Sequence, residues 1–202
     1  MNRILSIQIP SRLLRRSFIQ CVLSVSLATL MFTGCQHTYD ERRVGESSER
    51  PRLNPDAIAY VAIPPDVRFK RGFAQESGKA TAHALREEFA KYFRRAYLGR
   101  KIETFEEGLE MARAYQWSYY VYPTVLRWED RATENWGRRD RLEIQVQVVD
   151  TVSGAVLDMT VLKGTSRWMT AGGDTPNDLL VEPIRNYVAS LFNPIATPSA
   201  LR

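Results

Sequence analysis

At 202 residues the chain has room for one domain with extensions, and its formal charge of +5, from 28 basic and 23 acidic side chains, invites comparison with nucleic-acid binders. The distribution of charge excludes that class: Arg3, Arg12, Arg15 and Arg16 all fall in the first 34 positions, which leaves 24 basic against 23 acidic residues and no basic face in the remainder. Of the two cysteines, Cys21 lies in that same N-terminal stretch, so the body of the chain has one thiol and no internal disulfide.

No acidic residue precedes Asp40, and the early arginines lead into an apolar run from Phe18 to Phe32. This is the order of a secretory signal. The run contains Gln20 and falls short of the roughly 18 to 20 apolar residues that a membrane-spanning helix needs. Leu30-Met31-Phe32-Thr33-Gly34-Cys35 resembles the lipobox of bacterial lipoproteins, with Phe32 where leucine is usual. The resemblance implies removal of residues 1–34 and a diacylglyceryl group on the Cys35 sulfur, a membrane anchor worth roughly 0.8 kcal/mol per buried CH₂. Gln36, where inner-membrane lipoproteins carry aspartate, implies the outer membrane and a domain facing the periplasm. Arg15-Arg16-Ser17-Phe18-Ile19 also resembles a twin-arginine signal, so two export routes stay open.

From Gln36 to Asp56 the chain is polar, charged in both signs and without an apolar period, which predicts a flexible tether reaching about 25 Å on average and about 70 Å at most. A single domain is expected over 57–192. It opens with a strand at Ala57–Ile63, apolar on both faces and stopped by Pro64-Pro65. Ala82, Leu85, Phe89, Phe93 and Ala96 recur at helical spacing, which predicts a helix from about Gly78 to Tyr97, with a short strand at Lys101–Glu103. Thr104 and Glu107 form a capping box for a second helix to about Tyr115. Trp117 to Trp128 is aromatic and β-branched, a strand in which Pro123 signals a bulge or an edge.

Leu142, Ile144, Val146 and Val148 alternate with polar residues, a half-exposed antiparallel strand. A turn with Gly154 at positive φ leads to its partner strand, Ala155–Trp168. Thr175-Pro176 is expected to open a last helix to Phe192, and 193–202 to fray. The order βαβαβββα predicts an α/β (α+β) sandwich: a mixed sheet with an antiparallel meander and helices packed on it.

Trp128-Glu129-Asp130-Arg131, with Thr133, Trp136 and Gly137, and Gly164-x-Ser166-Arg167-Trp168-x-Thr170-x-Gly172-Gly173-Asp174-x-Pro176-x-Asp178-Leu179-Leu180 resemble a family of proteobacterial lipoproteins catalogued as a domain of unknown function, over roughly residues 35–192. The resemblance carries no assigned chemistry. The element order is also similar to small envelope lipoprotein domains of secretion and polysaccharide-export assemblies, an analogy of architecture.

The meander is expected to bring two segments together: Trp128, Glu129, Asp130, Arg131, Asn135 and Trp136 on one, Arg167, Trp168 and Asp174 on the other. Three readings stay open for them: a salt-bridged loop covering a sheet edge, an interaction surface, or a glycan site with paired carboxylates and stacking rings. No nucleophile with a base is visible, and His37 and His83 with an acylated Cys35 make no zinc set. The expectation is a non-enzymatic lipoprotein without cofactor or metal, anchored through Cys35, contacting an envelope protein or its own copies. Glycan binding through the Trp128–Trp136 connection is the alternative.

Overall fold

The computed structural model describes residues 37–44, 50–69, 72–130, 139–166 and 175–193. The segment expected to be a signal, Cys35 and the tail from 194 onward lie outside the described residues. A six-stranded mixed sheet has the order β1 (Thr38–Arg43), β8 (Val156–Thr165), β7 (Arg141–Asp150), β6 (Tyr119–Glu129), β2 (Ile58–Ile63), β5 (Arg95–Ile102). β2 runs parallel to β5 and β6, and every other pair in this sheet is antiparallel. Two short strands, β3 (Arg68–Phe69) and β4 (Gly72–Phe73), pair separately. Helices α1 (Ser77–Phe89) and α3 (Val181–Phe192) pack on one face of the sheet, and α2 (Phe105–Ala114) packs on the other. The α+β architecture and the meander are as the sequence predicts.

β2 is apolar throughout because both its faces are covered. Ala59 and Val61 join the core under α1 and α3, while Tyr60 and Ala62 join a smaller aromatic core with Ala112 of α2, Tyr120 and Val149. β7 keeps the predicted alternation, with Leu142, Ile144, Val146 and Val148 in the main core and Glu143, Gln145 and Gln147 half-exposed. Val149, the next residue in that alternation, falls on the α2 face. A register shift between Val125 and Arg127 reverses the parity in β6 and puts Trp128 in the same core as Val121 and Val125. Pro123 falls beyond Tyr119–Val121, the only residues of β6 in register with β2, so its missing N–H lies where β6 has a ladder partner on the β7 side alone.

Three sequence expectations need correction. The predicted tether contains strand β1, paired with β8 along its whole length, and Leu53, which is buried and donates its N–H to the Leu191 carbonyl at 3.0 Å. The compact unit therefore starts at His37, and only Gln36 and His37 separate Cys35 from β1. Composition hid this strand because its partners in β8 are far along the chain, Thr38 pairing with Thr165 and Arg43 with Thr160. Arg43 donates from Nε to Asp158 Oδ1 at 2.8 Å, with Nη2 at 2.7 Å, while Oδ2 accepts from Thr160 Oγ1 at 2.8 Å and Tyr187 Oη at 3.0 Å. Arg50 bonds both Glu41 and Ser190 and lies over the Tyr187 ring.

The first helix ends at Phe89, and the residues predicted to extend it make a turn and then β5. Phe93 satisfies the helical spacing from a different conformation, its ring stacked 5.6 Å from Phe89 and 5.4 Å from Tyr119. Arg94 donates its N–H to Pro55 O at 2.7 Å and aims the chain alongside β2. The last helix starts at Val181; the cap at Thr175, whose N–H and Oγ1 donate to Asp178 Oδ2, serves the turns before it. The capping box of α2 and the positive φ of Gly154 (73°) are as predicted.

Candidate functional site

The structure places three of the residues singled out in the Trp128 constellation. Trp128 is 7% exposed and packed into the main core, because the bulge at Leu126 turns it inward; its ring is not open for stacking on a ligand. Glu129 is half-buried with Oε1 3.8 Å from Arg127 Nη1, and Asp130 is exposed. Arg131, Asn135, Trp136, Arg167, Trp168 and Asp174 lie outside the described residues, as does Cys35. The strand ends that carry the two segments are neighbours: Arg141 stands opposite Thr165, Asp140 donates its N–H to Ser166 Oγ at 2.9 Å, and Ser166 returns its N–H to Asp140 O at 3.1 Å.

A cleft appears at the opposite edge of the sheet, between β5, α2 and the start of β6. It has a volume of about 570 Å³, within the usual range for small-ligand sites, and Tyr60, Tyr97, Glu103, Met111, Tyr115 and Trp117 form its floor and walls. Trp117 is the hub of an aromatic stack, with Tyr60 at 4.8 Å, Tyr97 at 5.0 Å and Tyr115 at 4.8 Å between ring centroids. Tyr115 (63%) and Tyr97 (37%) keep exposed faces. The turn that leaves α2 builds half of this stack. Gln116 has φ 55°, the left-handed region that costs a non-glycine residue energy, and so Tyr115 and Trp117, two positions apart, present their rings to each other.

On the floor, Tyr60 Oη donates to Glu103 Oε2 at 2.5 Å, and both residues are 3% exposed. Burial, then the hydrogen bond and charge of Glu103, push the Tyr60 phenol above its ordinary value of 10, so it stays a proton donor at neutral pH. Gly99 makes room for the pair: a Cβ there would stand 3.1 Å from Tyr60 Oη and 3.3 Å from the Ile63 nitrogen. Arg100 and Lys101 are exposed on the rim. The lining offers aromatic surface, one buried carboxylate hydrogen-bonded to a phenol, and two cations. No group of three His, Cys, Asp or Glu among the described residues is placed to hold a metal.

Sequence reasoning missed this cleft because its parts come from β2, β5, α2 and β6. The one local signal was Tyr115-Gln116-Trp117, and it reads equally well as a helix end followed by a strand.

Residues 51–191 match the family model described as a domain of unknown function, DUF4823. The chain belongs to this family. That membership bears out the likeness carried by the Trp128–Gly137 and Gly164–Leu180 motifs. A search of the curated proteins found no match to this DUF4823 chain. Among solved structures it is similar to the PelC dodecamer from Paraburkholderia phytofirmans, with TM-score 0.55 and 14% identity over 77% of this chain and 97% of that one. A DUF330 protein from Xanthomonas campestris has TM-score 0.43 and 9% identity, covering 74% and 88% of the two chains. Lipoprotein GNA1162 from Neisseria meningitidis has TM-score 0.38 and 16% identity, covering 67% and 99%. The PelC likeness shows that the DUF4823 domain shares that fold.

Proposed function

We propose that this protein is a non-enzymatic lipoprotein, anchored in the outer membrane and facing the periplasm, that works as an interaction and assembly component of the cell envelope. The observation that carries the reading is the edge of the sheet at β5. Among the described residues this eight-residue strand is paired on its β2 side only, and it exposes Tyr97 and Ile102 beside the aromatic cleft. An unpaired edge is a template for strand addition. Tyr, Trp, Met and Arg are the residue types enriched at protein contacts.

The lipobox at Cys35 and the glutamine after it support the anchor and the outer membrane. Because β1 begins at Thr38, a lipidated Cys35 would hold the first strand within about 10 Å of the acylated residue, in place of the long spacer that composition suggested. A fold shared with the subunit of a dodecamer supports self-association as the form of assembly.

Sedimentation velocity of the lipidated full-length product in mild detergent tests the reading. The expected result is a species larger than the monomer that Tyr97→Asp with Ile102→Asp reduces to the monomer without loss of fold. A monomer at every concentration, together with no partner crosslinked in intact envelopes, would overturn it.

A further inference from the structure

We infer that the cleft between β5 and α2 binds an acidic saccharide, a pyranose unit carrying a carboxylate or a phosphate. The inference stands on the cleft itself and not on the assembly role. Each part of the lining matches one part of such a ligand. The exposed faces of Tyr115 and Tyr97 are flat apolar platforms of the size of a sugar ring, held rigid by the stack on Trp117. Rigid rings lose little entropy on binding, which favours affinity from a small contact.

The floor supplies directional polarity. Glu103 is 3% exposed, its Oε2 is occupied by the Tyr60 hydroxyl, and Oε1 has no partner among the described residues. Oε1 is not a buried orphan and so is reached by solvent at the cleft floor, where a ligand that displaces that solvent must supply a donor, as sugar hydroxyl groups do. A ligand of purely apolar character would leave it unmet.

Charge decides between neutral and acidic sugars. Arg100 and Lys101 stand on the rim against the single carboxylate of Glu103, so the cleft is net positive. Neither cation has a carboxylate within salt-bridge distance among the described residues, but Lys101, after the Thr104 N–H, helps hold the Glu107 carboxyl below its ordinary value, so Arg100 is the cation more open to a ligand anion. Arg100 can grip a carboxylate or phosphate through two parallel N–H donors, with Lys101 adding a point charge beside it. The volume of about 570 Å³ accommodates a short oligosaccharide segment.

The test is isothermal titration of the lipidated full-length product in detergent with tetragalacturonate, mannose 6-phosphate, a neutral galacto-oligosaccharide and inorganic phosphate. Saturable binding of one or both acidic sugars, about tenfold tighter than the neutral one, is expected, and Arg100→Ala with Lys101→Ala should erase that difference. Tyr115→Ala, an exposed position, should weaken acidic and neutral sugars alike. Which acidic sugar binds tells carboxylate from phosphate as the preferred anion. Binding of inorganic phosphate as tight as that of the acidic sugars would reduce the site to an anion site and overturn the saccharide assignment. Equal affinity for the neutral sugar, or no saturation at millimolar concentrations, would also overturn it. Since the assembly role is read from sedimentation, failure here leaves that result standing, and the reverse holds.

Discussion

Arg43→Met is the perturbation that most directly tests whether β1 is structure or spacer. The Asp158 side chain is 0% exposed and that of Arg43 is 21% exposed. Removing the guanidinium leaves a buried carboxylate with two hydroxyl donors, from Thr160 and Tyr187, and no ion-pair partner among the described residues. Breaking one partner out of a buried pair typically costs about 3–5 kcal/mol, and the partial exposure of Arg43 argues for the lower end, about 3 kcal/mol. For a domain of this size each kcal/mol moves the melting temperature by about 2–4 °C, so thermal unfolding followed by circular dichroism should shift down by roughly 6–12 °C. In an Asp158→Asn background the same substitution should cost only about 1 kcal/mol, because the buried charge is gone. A shift below about 2 °C in the single variant would refute the reasoning and return Thr38–Arg43 to the role of a passive leash.

Three further outcomes follow from the packing. Trp128→Ala should destabilise by about 3–5 kcal/mol in urea titration, as a large core residue does, while a surface role would predict almost no change. Gly108→Ala should destabilise by about 1–3 kcal/mol despite the better helix propensity of alanine, since the new Cβ would sit 2.3 Å from Tyr120 Oη and force the ring to move. Tyr60, Tyr120, Tyr122 and Tyr187 all have phenols raised above 10, first by burial. The unfolded chain therefore releases these protons first, so stability is full below about pH 10 and falls as pH rises beyond it, which urea midpoints measured across that range would show. A midpoint that holds constant through alkaline pH would contradict the burial of these rings.

Local chemistry made much of the fold readable. The Thr104–Glu107 box marks the start of α2 because both its hydrogen bonds close within four residues, at 3.2 and 2.9 Å. The β7–β8 turn shows because Gly154 and Asp150 settle it together, Asp150 Oδ1 accepting from the Ser153 N–H and hydroxyl. Alternation in β7 marks its buried face because a strand's side chains reverse at every residue. The candidate site was less legible. Trp128 looked like a recognition residue because its neighbours are charged, and only the bulge at Leu126, a property of pairing with β7, puts it in the core.

Sequence alone determined which segments have a helical or alternating apolar period, and that they build a mixed α+β layer. Tertiary structure decided that a charged, aperiodic segment becomes β1, that Phe93 and Ala96 leave the helix for a turn and β5, and that Tyr60, Tyr97, Tyr115 and Trp117 meet in one cleft. The division has one physical cause. Caps, turns and periods are satisfied by partners a few residues away, whereas a strand edge, a buried ion pair or a shared cavity gains its free energy from groups far along the chain, and no local pattern of residues records which of them will arrive.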